Sequence, residues 1–200
     1  PAKARAFAEA HDARATDYDG LVGDDAVDVV YVATTHNYHH ANARLALEHD
    51  KHVVVEKPFT VNAAEADDLI DLARTRGRFL MEAMWSRFLP AWQALRETVA
   101  AGTIGEVRQI DVSFGGIVPP HYELRLKDPA LAGGATLDMG VYPIVLVVHA
   151  LGECPVDVVS MMRPHASGVD EIACMILRLP SGCLATIRTS FDLWMPWRAV

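Results

Sequence analysis

Two hydrophobic patterns divide the chain. In the first half, short β-branched apolar runs over residues 26–33 and 51–56 predict core strands of the kind buried in a parallel sheet. Residues 39–48 and 62–76 predict helices. Asn62 stands where a helix wants a side-chain cap, and Gly77 where it wants a left-handed stop. An alanine-rich helix over 2–10 and a short strand over 79–84 complete this half. Strands separated by helices of about 10–15 residues imply βαβ units and a parallel sheet.

After Pro90 the rhythm changes. A helix is expected over 91–101, a strand over 106–114, a loop rich in glycine and proline through Lys127, and a helical region over 133–150. Three strand-like runs then follow almost directly, at 156–162, 171–179 and 183–191. Pro180-Ser181-Gly182 makes the last two a hairpin. Strands in such close succession imply an antiparallel sheet. The expected class is α/β: a Rossmann-type parallel sheet over 1–88, then an α+β domain with a mostly antiparallel open sheet over 89–200. The chain opens on Pro1 directly into a helix and closes at Val200 inside an aromatic stretch. The expectation is an internal piece, with the first domain truncated at its amino end and the second at its carboxyl end. A signal peptide is therefore not excluded.

Charge and composition narrow the partners. A net charge of −8 with no dense lysine/arginine stripe argues against nucleic acid and favours a small molecule or a protein surface. No apolar stretch approaches the roughly 18–20 residues of a transmembrane helix; the longest, 141–151, is broken by Pro143 and His149. The three cysteines (Cys154, Cys174, Cys183) lack metal-ligand spacing and read as buried free thiols in a reducing cytosol. The adjacent His39 and His40 point apart on a helix, so no metal site is expected. His149 reads as a satisfied core histidine, and Trp194 and Trp197 as core or subunit-contact residues.

Candidate chemistry concentrates at strand ends. Val53-Val54-Val55 runs into Glu56-Lys57-Pro58, and the proline stops the strand and keeps Lys57 extended. A cation is thus held at the carboxyl end of a core strand, the edge at which open α/β sheets bind ligands. The run Ala33-Thr34-Thr35-His36-Asn37-Tyr38-His39 follows the preceding strand and leads into a helix, which suits an anion.

Taken in order, these segments resemble the glucose–fructose oxidoreductase / inositol dehydrogenase (Gfo/Idh/MocA) family. The resemblance continues through Met81-Glu-Ala-Met-Trp-Ser-Arg-Phe-Leu-Pro90, Thr103-Ile-Gly-Glu-Val107 and Gly133-Gly-Ala-Thr-Leu-Asp-Met-Gly-Val-Tyr142, so it covers nearly the whole chain. Thr35 replaces the proline of the family turn. Tyr142, where many members carry histidine, is most similar to the dihydrodiol-dehydrogenase-like branch.

The resemblance implies an enzyme that moves a hydride between NADP or NAD, with NADP slightly favoured, and a secondary alcohol or carbonyl of a sugar, polyol or trans-cyclic diol. It assigns Tyr142 as acid/base, Lys57 as the cation beside it and Asp138 as a group that binds a substrate hydroxyl or orients Tyr142. An ammonium beside a phenol favours the phenolate, which is the form able to take a proton. Thr34, Thr35, His36, His39, Glu56, Lys57, Trp85 and Arg87 are the candidate cofactor contacts. It also implies a homodimer or homotetramer and a cytoplasmic location. A redox-neutral NAD-dependent glycoside hydrolase and a non-catalytic NADP(H) sensor are the rival functions.

Plainer readings stay open. Lys57 could be a solvated strand-end lysine, Tyr142 a core tyrosine, and Asp138 a cap. Gly133-Gly134 is either a loop hinge or a point of close cofactor approach. Asp138 and Tyr142 share a face only if one helix runs through Pro143. Such a helix is kinked there and keeps the shared face; the alternative is a helix that restarts with Pro143 in its first turn and loses it.

Overall fold

The computed structural model describes residues 2–200 and separates into two compact units. The first comprises 2–34 and 38–83; the second comprises 84–200 together with Thr35–Asn37.

In the first unit, β1 (Val29–Val32), β2 (His52–Val55) and β3 (Leu80–Glu82) form a fully parallel sheet in the order β1-β2-β3. The expected strand over 26–33 is shorter at its start because Asp24 ties the preceding residues into a turn. Its carboxylate accepts the Ala26 N–H (2.9 Å), and its carbonyl accepts both Val27 N–H (3.1 Å) and the buried Lys51 ammonium (2.9 Å). The remaining helices are α1 (Ala2–Ala10), α2 (Tyr18–Val22), α3 (His39–Glu48) and α4 (Ala63–Arg76). Ala43, Ala46, Leu47, Leu69 and Ala73 from α3 and α4 bury Val30, Val32, Val53 and Val55, giving one dry core on one face of the sheet. On β1 the alternate residues Val29 and Tyr31 stay exposed. Local chemistry sets α4 as the sequence implies: Asn62 Oδ1 accepts the Glu65 N–H (3.0 Å), and Gly77 ends the helix at φ +62°.

The second unit carries α5 (Pro90–Ala100), β4 (Gln109–Gly115), α6 (Pro120–Leu126), α7 (Val141–Leu151), β5 (Asp157–Pro164), β6 (Asp170–Arg178), β7 (Leu184–Ser190) and β8 (Met195–Ala199). Its sheet runs β5-β6-β7-β4-β8, antiparallel at every step except β4 beside β7, which is parallel. The class is as expected, a parallel α/β part and a mixed, mostly antiparallel one. Two elements escape the sequence pattern. Helix α6 lies where a loop is expected; Pro120 begins it, a position where the missing N–H costs nothing. Strand β8 forms because β4 offers it a partner, and it tolerates Pro196 as an edge strand. Val147 on α7 packs with Val112, Ala173, Met175, Leu177, Ala185 and Ile187 as the core.

Several expectations need correction. By length and apolarity the run Pro129–Leu151 would suffice to cross a bilayer. It is not one α-helix: a 3-10 turn (Pro129–Leu131) and a π turn (Thr136–Gly140) precede α7. The α-helical part is 11 residues, about 16 Å at 1.5 Å per residue, roughly half a hydrocarbon core. Cys154 and Cys174 are exposed, and only Cys183 is buried, its thiol pushed up by burial and then by Glu153. His149 is buried beside Trp92, yet its Nε2 meets no hydrogen-bond partner among the described residues. Trp194 and Trp197 are largely exposed, which removes the core half of their expectation and leaves the subunit contact.

Candidate functional site

Each unit presents its own group of polar side chains. In the first, the carboxyl ends of the three parallel strands converge. His39, fully buried at the start of α3, places Nδ1 2.7 Å from the Pro58 carbonyl and Nε2 3.1 Å from the Thr34 carbonyl. The ring thereby braces the turn after β1 against the turn after β2. Asn42 donates to the Thr34 hydroxyl (3.3 Å). Glu56 accepts the Lys57 N–H (3.1 Å) and the Tyr31 hydroxyl. That bond, then burial and the Glu56 charge, push the Tyr31 phenol up to about 12. Glu82, ending β3, accepts the Phe59 N–H (2.9 Å). Thr34, Glu56, Lys57 and Glu82 thus stand together at the strand ends, the ligand edge of an open parallel sheet.

The second unit gathers Asp138, Tyr142 and Trp85. Asp138 lies on the π turn and Tyr142 in the first turn of α7, one residue before Pro143. The helix therefore restarts with Pro143 in its first turn, where an amide needs no intrahelical acceptor. The π turn, not a continuous α-helix, relates Asp138 to Tyr142, so the simple i,i+4 argument does not apply. Trp85 Nε1 donates to the Tyr142 hydroxyl (3.1 Å), and the Phe114 ring lies 5.0 Å from the Tyr142 ring. Tyr142 also walls a cavity of about 370 Å³ lined by Trp85, Leu89, Trp92, Phe114 and Trp197. Arg87, on the same 3-10 turn as Trp85, is exposed.

Beside Asp138 sit His36 and Arg125. His36, buried, has Nδ1 2.9 Å from the Ala132 carbonyl and Nε2 3.3 Å from an Arg125 guanidinium nitrogen. A carbonyl only accepts, so the Nδ1 contact is a hydrogen bond donated by the ring. The Asp138 carboxylate is 3.7 Å from both His36 Nε2 and Arg125. Thr35 donates to the Asn37 side chain (2.7 Å) within the same segment. Of the sequence candidates, Thr34, His39, Glu56 and Lys57 come together in the first unit, and Thr35, His36, Trp85, Arg87, Asp138 and Tyr142 belong to the second.

Sequence reasoning missed Arg125, Phe114 and Asp170. Arg125 lies on the unforeseen α6. Asp170 stands at the start of β6 and reaches Thr136, 34 positions away, a pairing no local spacing announces. The space beside Gly133 and Gly134 is filled by the chain itself. A Cβ on Gly133 would sit 2.3 Å from the Leu126 carbonyl oxygen, and one on Gly134 2.2 Å from Asp170 Oδ1.

Residues 1–84 match the oxidoreductase family with the NAD-binding Rossmann fold, and 92–199 match the GFO/IDH/MocA C-terminal domain. The chain belongs to the GFO/IDH/MocA family. It is 40% identical over 181 residues to the trans-1,2-dihydrobenzene-1,2-diol dehydrogenase of Macaca fuscata fuscata, spanning 89% of this chain and 54% of that protein. It is 42% identical over 179 residues to the D-xylose 1-dehydrogenase (NADP(+)) of Hypocrea jecorina, spanning 82% of this chain and 46% of the relative. Among solved structures, a 3-ketoreductase from Actinomadura kijaniata in complex with NADP and TDP-benzene superposes with a TM-score of 0.87 at 29% identity, covering 98% of this chain and 61% of the other. The chain thus spans about half the length of the curated relatives it matches.

Proposed function

We propose that the full-length protein is an NAD(P)-dependent dehydrogenase or reductase. It acts on a secondary alcohol or carbonyl of a sugar, polyol or trans-cyclic diol, with Tyr142 as the acid/base. The observation that carries this reading is the Tyr142 hydroxyl, held by Trp85 Nε1 at the wall of an apolar cavity and beside the Asp138 turn. A phenol fixed in this way can pass a proton to or from a substrate oxygen.

The donor set at the carboxyl edge of the parallel sheet fits a dinucleotide. The Thr34 hydroxyl, the Glu56 carboxylate and the Lys57 ammonium can bind ribose hydroxyls, and His39 holds the two turns that carry Thr34 and Lys57. When bound, the nicotinamide supplies the hydride acceptor or donor. Lys57 is assigned a second task, to favour the phenolate of Tyr142 during proton transfer. Asp138 orients a substrate hydroxyl. The apolar rings around the cavity exclude water and take the carbon skeleton of the substrate.

NADP is slightly favoured, in keeping with the xylose dehydrogenase and the ketoreductase complex. Free cysteines, two of them exposed, support a reducing compartment such as the cytoplasm. Exposed apolar residues of β5 and β6 support a homo-oligomer.

The test is the nicotinamide absorbance of the full-length protein with NADP⁺ or NAD⁺ and a panel of aldoses, inositols and trans-cyclic diols. A steady rise with one class is expected. Tyr142→Phe should lower turnover by about 10²-fold or more while leaving cofactor affinity near that of the parent. Turnover unchanged in this variant would overturn the assignment of Tyr142, and no absorbance change despite cofactor binding would overturn the dehydrogenase.

A further inference from the structure

The π turn Thr136–Gly140 carries Asp138 and delivers the chain to Tyr142. Such turns are rare and short, because the wider ring is a poorer solution for the backbone than an α-helix. A slip of one residue back to α-helical register would rotate the following side chains by about 100°. Whatever holds this turn in register therefore decides where Tyr142 points relative to Asp138.

Asp170, at the first position of β6, is placed to do this. Its Oδ2 accepts both the backbone N–H and the side-chain hydroxyl of Thr136, each at 2.7 Å. Bonds to a carboxylate are the strong kind, and here two of them clamp the first residue of the turn from a neighbouring strand. The approach is built in. Gly134 adopts φ +126°, and any Cβ there would meet Asp170 Oδ1 at 2.2 Å. The Gly134 carbonyl in turn accepts the Asp138 N–H at 3.1 Å. From strand to turn the linkage is continuous: Asp170 to Thr136, with Gly134 packed on Asp170 and bonded to Asp138.

We propose that Asp170 is a positioning residue, fixing the register of the π turn through Thr136 and thereby the aim of Asp138 and Tyr142. The proposal rests on the reading of Tyr142 as the acid/base. It concerns no contact with substrate or cofactor: Asp170 acts only through the turn.

The experiment compares Asp170→Ala, Asp170→Asn and Thr136→Val with the parent, all in the full-length protein. Two quantities are read: kcat and KM for the alcohol, and amide hydrogen exchange across the turn and α7. In Asp170→Ala, kcat should fall by about 10-fold to 10²-fold, as for a misplaced reacting group. KM for the nicotinamide should change less than threefold. Exchange should accelerate at amides 136–142 while those over 144–151 keep their protection, because the loss is local opening of the turn. Asp170→Asn retains an accepting oxygen and should recover part of kcat. Thr136→Val, which keeps the backbone bond, should fall between Asp170→Asn and Asp170→Ala.

A folded Asp170→Ala protein with kcat within twofold of the parent, or with exchange raised uniformly along α7, would overturn the proposal. If Asp170→Ala does not fold, the same criteria apply to the other two variants. The exchange pattern reports on the tether even where the parent turns over no alcohol. Failure of the dehydrogenase reading and failure of this one are therefore told apart.

Discussion

At Gly134 the backbone occupies a region that residues with a Cβ rarely enter, and the space a methyl group would need is taken by a carboxylate oxygen 2.2 Å away. Two costs follow for Gly134→Ala. Backbone strain of this type is about 1–3 kcal/mol. Displacing Asp170 also weakens its bonds to Thr136, and hydrogen bonds to a charged group are worth about 1.5–3 kcal/mol each. The expected outcome is a marked fall in the denaturant midpoint. In the double variant Gly134→Ala/Asp170→Ala the two losses should be less than additive, since the clash disappears with the carboxylate. Denaturant titration of the four proteins measures that coupling. Additive losses would mean that the two residues do not share one constraint.

The elements of the first unit show the difference between packing and surface pairing. On α4, Leu69 is fully buried in the core of the first unit, whereas its neighbour Asp68 is half-exposed. Both Asp68 carboxylate oxygens accept from Arg44 Nη1 at 2.7 Å, and Oδ2 also meets His40 Nε2 at 2.7 Å. Leu69→Ala should cost about 2–5 kcal/mol at every pH, because it opens a cavity in a dry core. The Asp68 carboxyl is held below its usual range, first by the hydrogen bond from Arg44 and then by that from His40. A depressed carboxylate stabilises the fold above its unfolded pKa, and that stabilisation is lost as pH falls through the lower folded value. The stability gap between the parent and Asp68→Asn should therefore be present at neutral pH. It should close as the solution is acidified below about pH 4. Thermal melts across that range test it, and a gap independent of pH would contradict the pairing.

Among the described residues each unit packs its own buried core, the second in two clusters, and each unit leaves apolar surface uncovered. Val29 and Tyr31 are more than half exposed on β1, and on β5 Val159 and Met161 reach 65% and 80%. Edge strands and patches of this kind promote self-association. The 200-residue chain expressed by itself should sediment with a concentration-dependent mass. Val159→Lys/Met161→Lys should shift that mass towards the monomer. A monomer at all concentrations before substitution would count against the prediction.

Some of this was legible from neighbouring residues alone. Asn62 and Gly77 bound α4 by chemistry contained within a few positions, and the β-branched runs mark β1 and β2 because their burial follows from composition. The Gfo/Idh/MocA resemblance likewise rested on short segments in order. Tertiary structure decided the rest. Strand β8 exists because β4 has an edge to offer, β4 lies parallel to β7 through a long crossover, and the π turn takes its start from an aspartate on another strand. His36 meets Ala132 and Arg125, about 90 positions away, only in the folded chain. Caps, turns and strand propensity are properties of a few adjacent residues, so the sequence states them. Register across a sheet and the direction of a side chain in a site depend on partners far along the chain, and only folding brings those together.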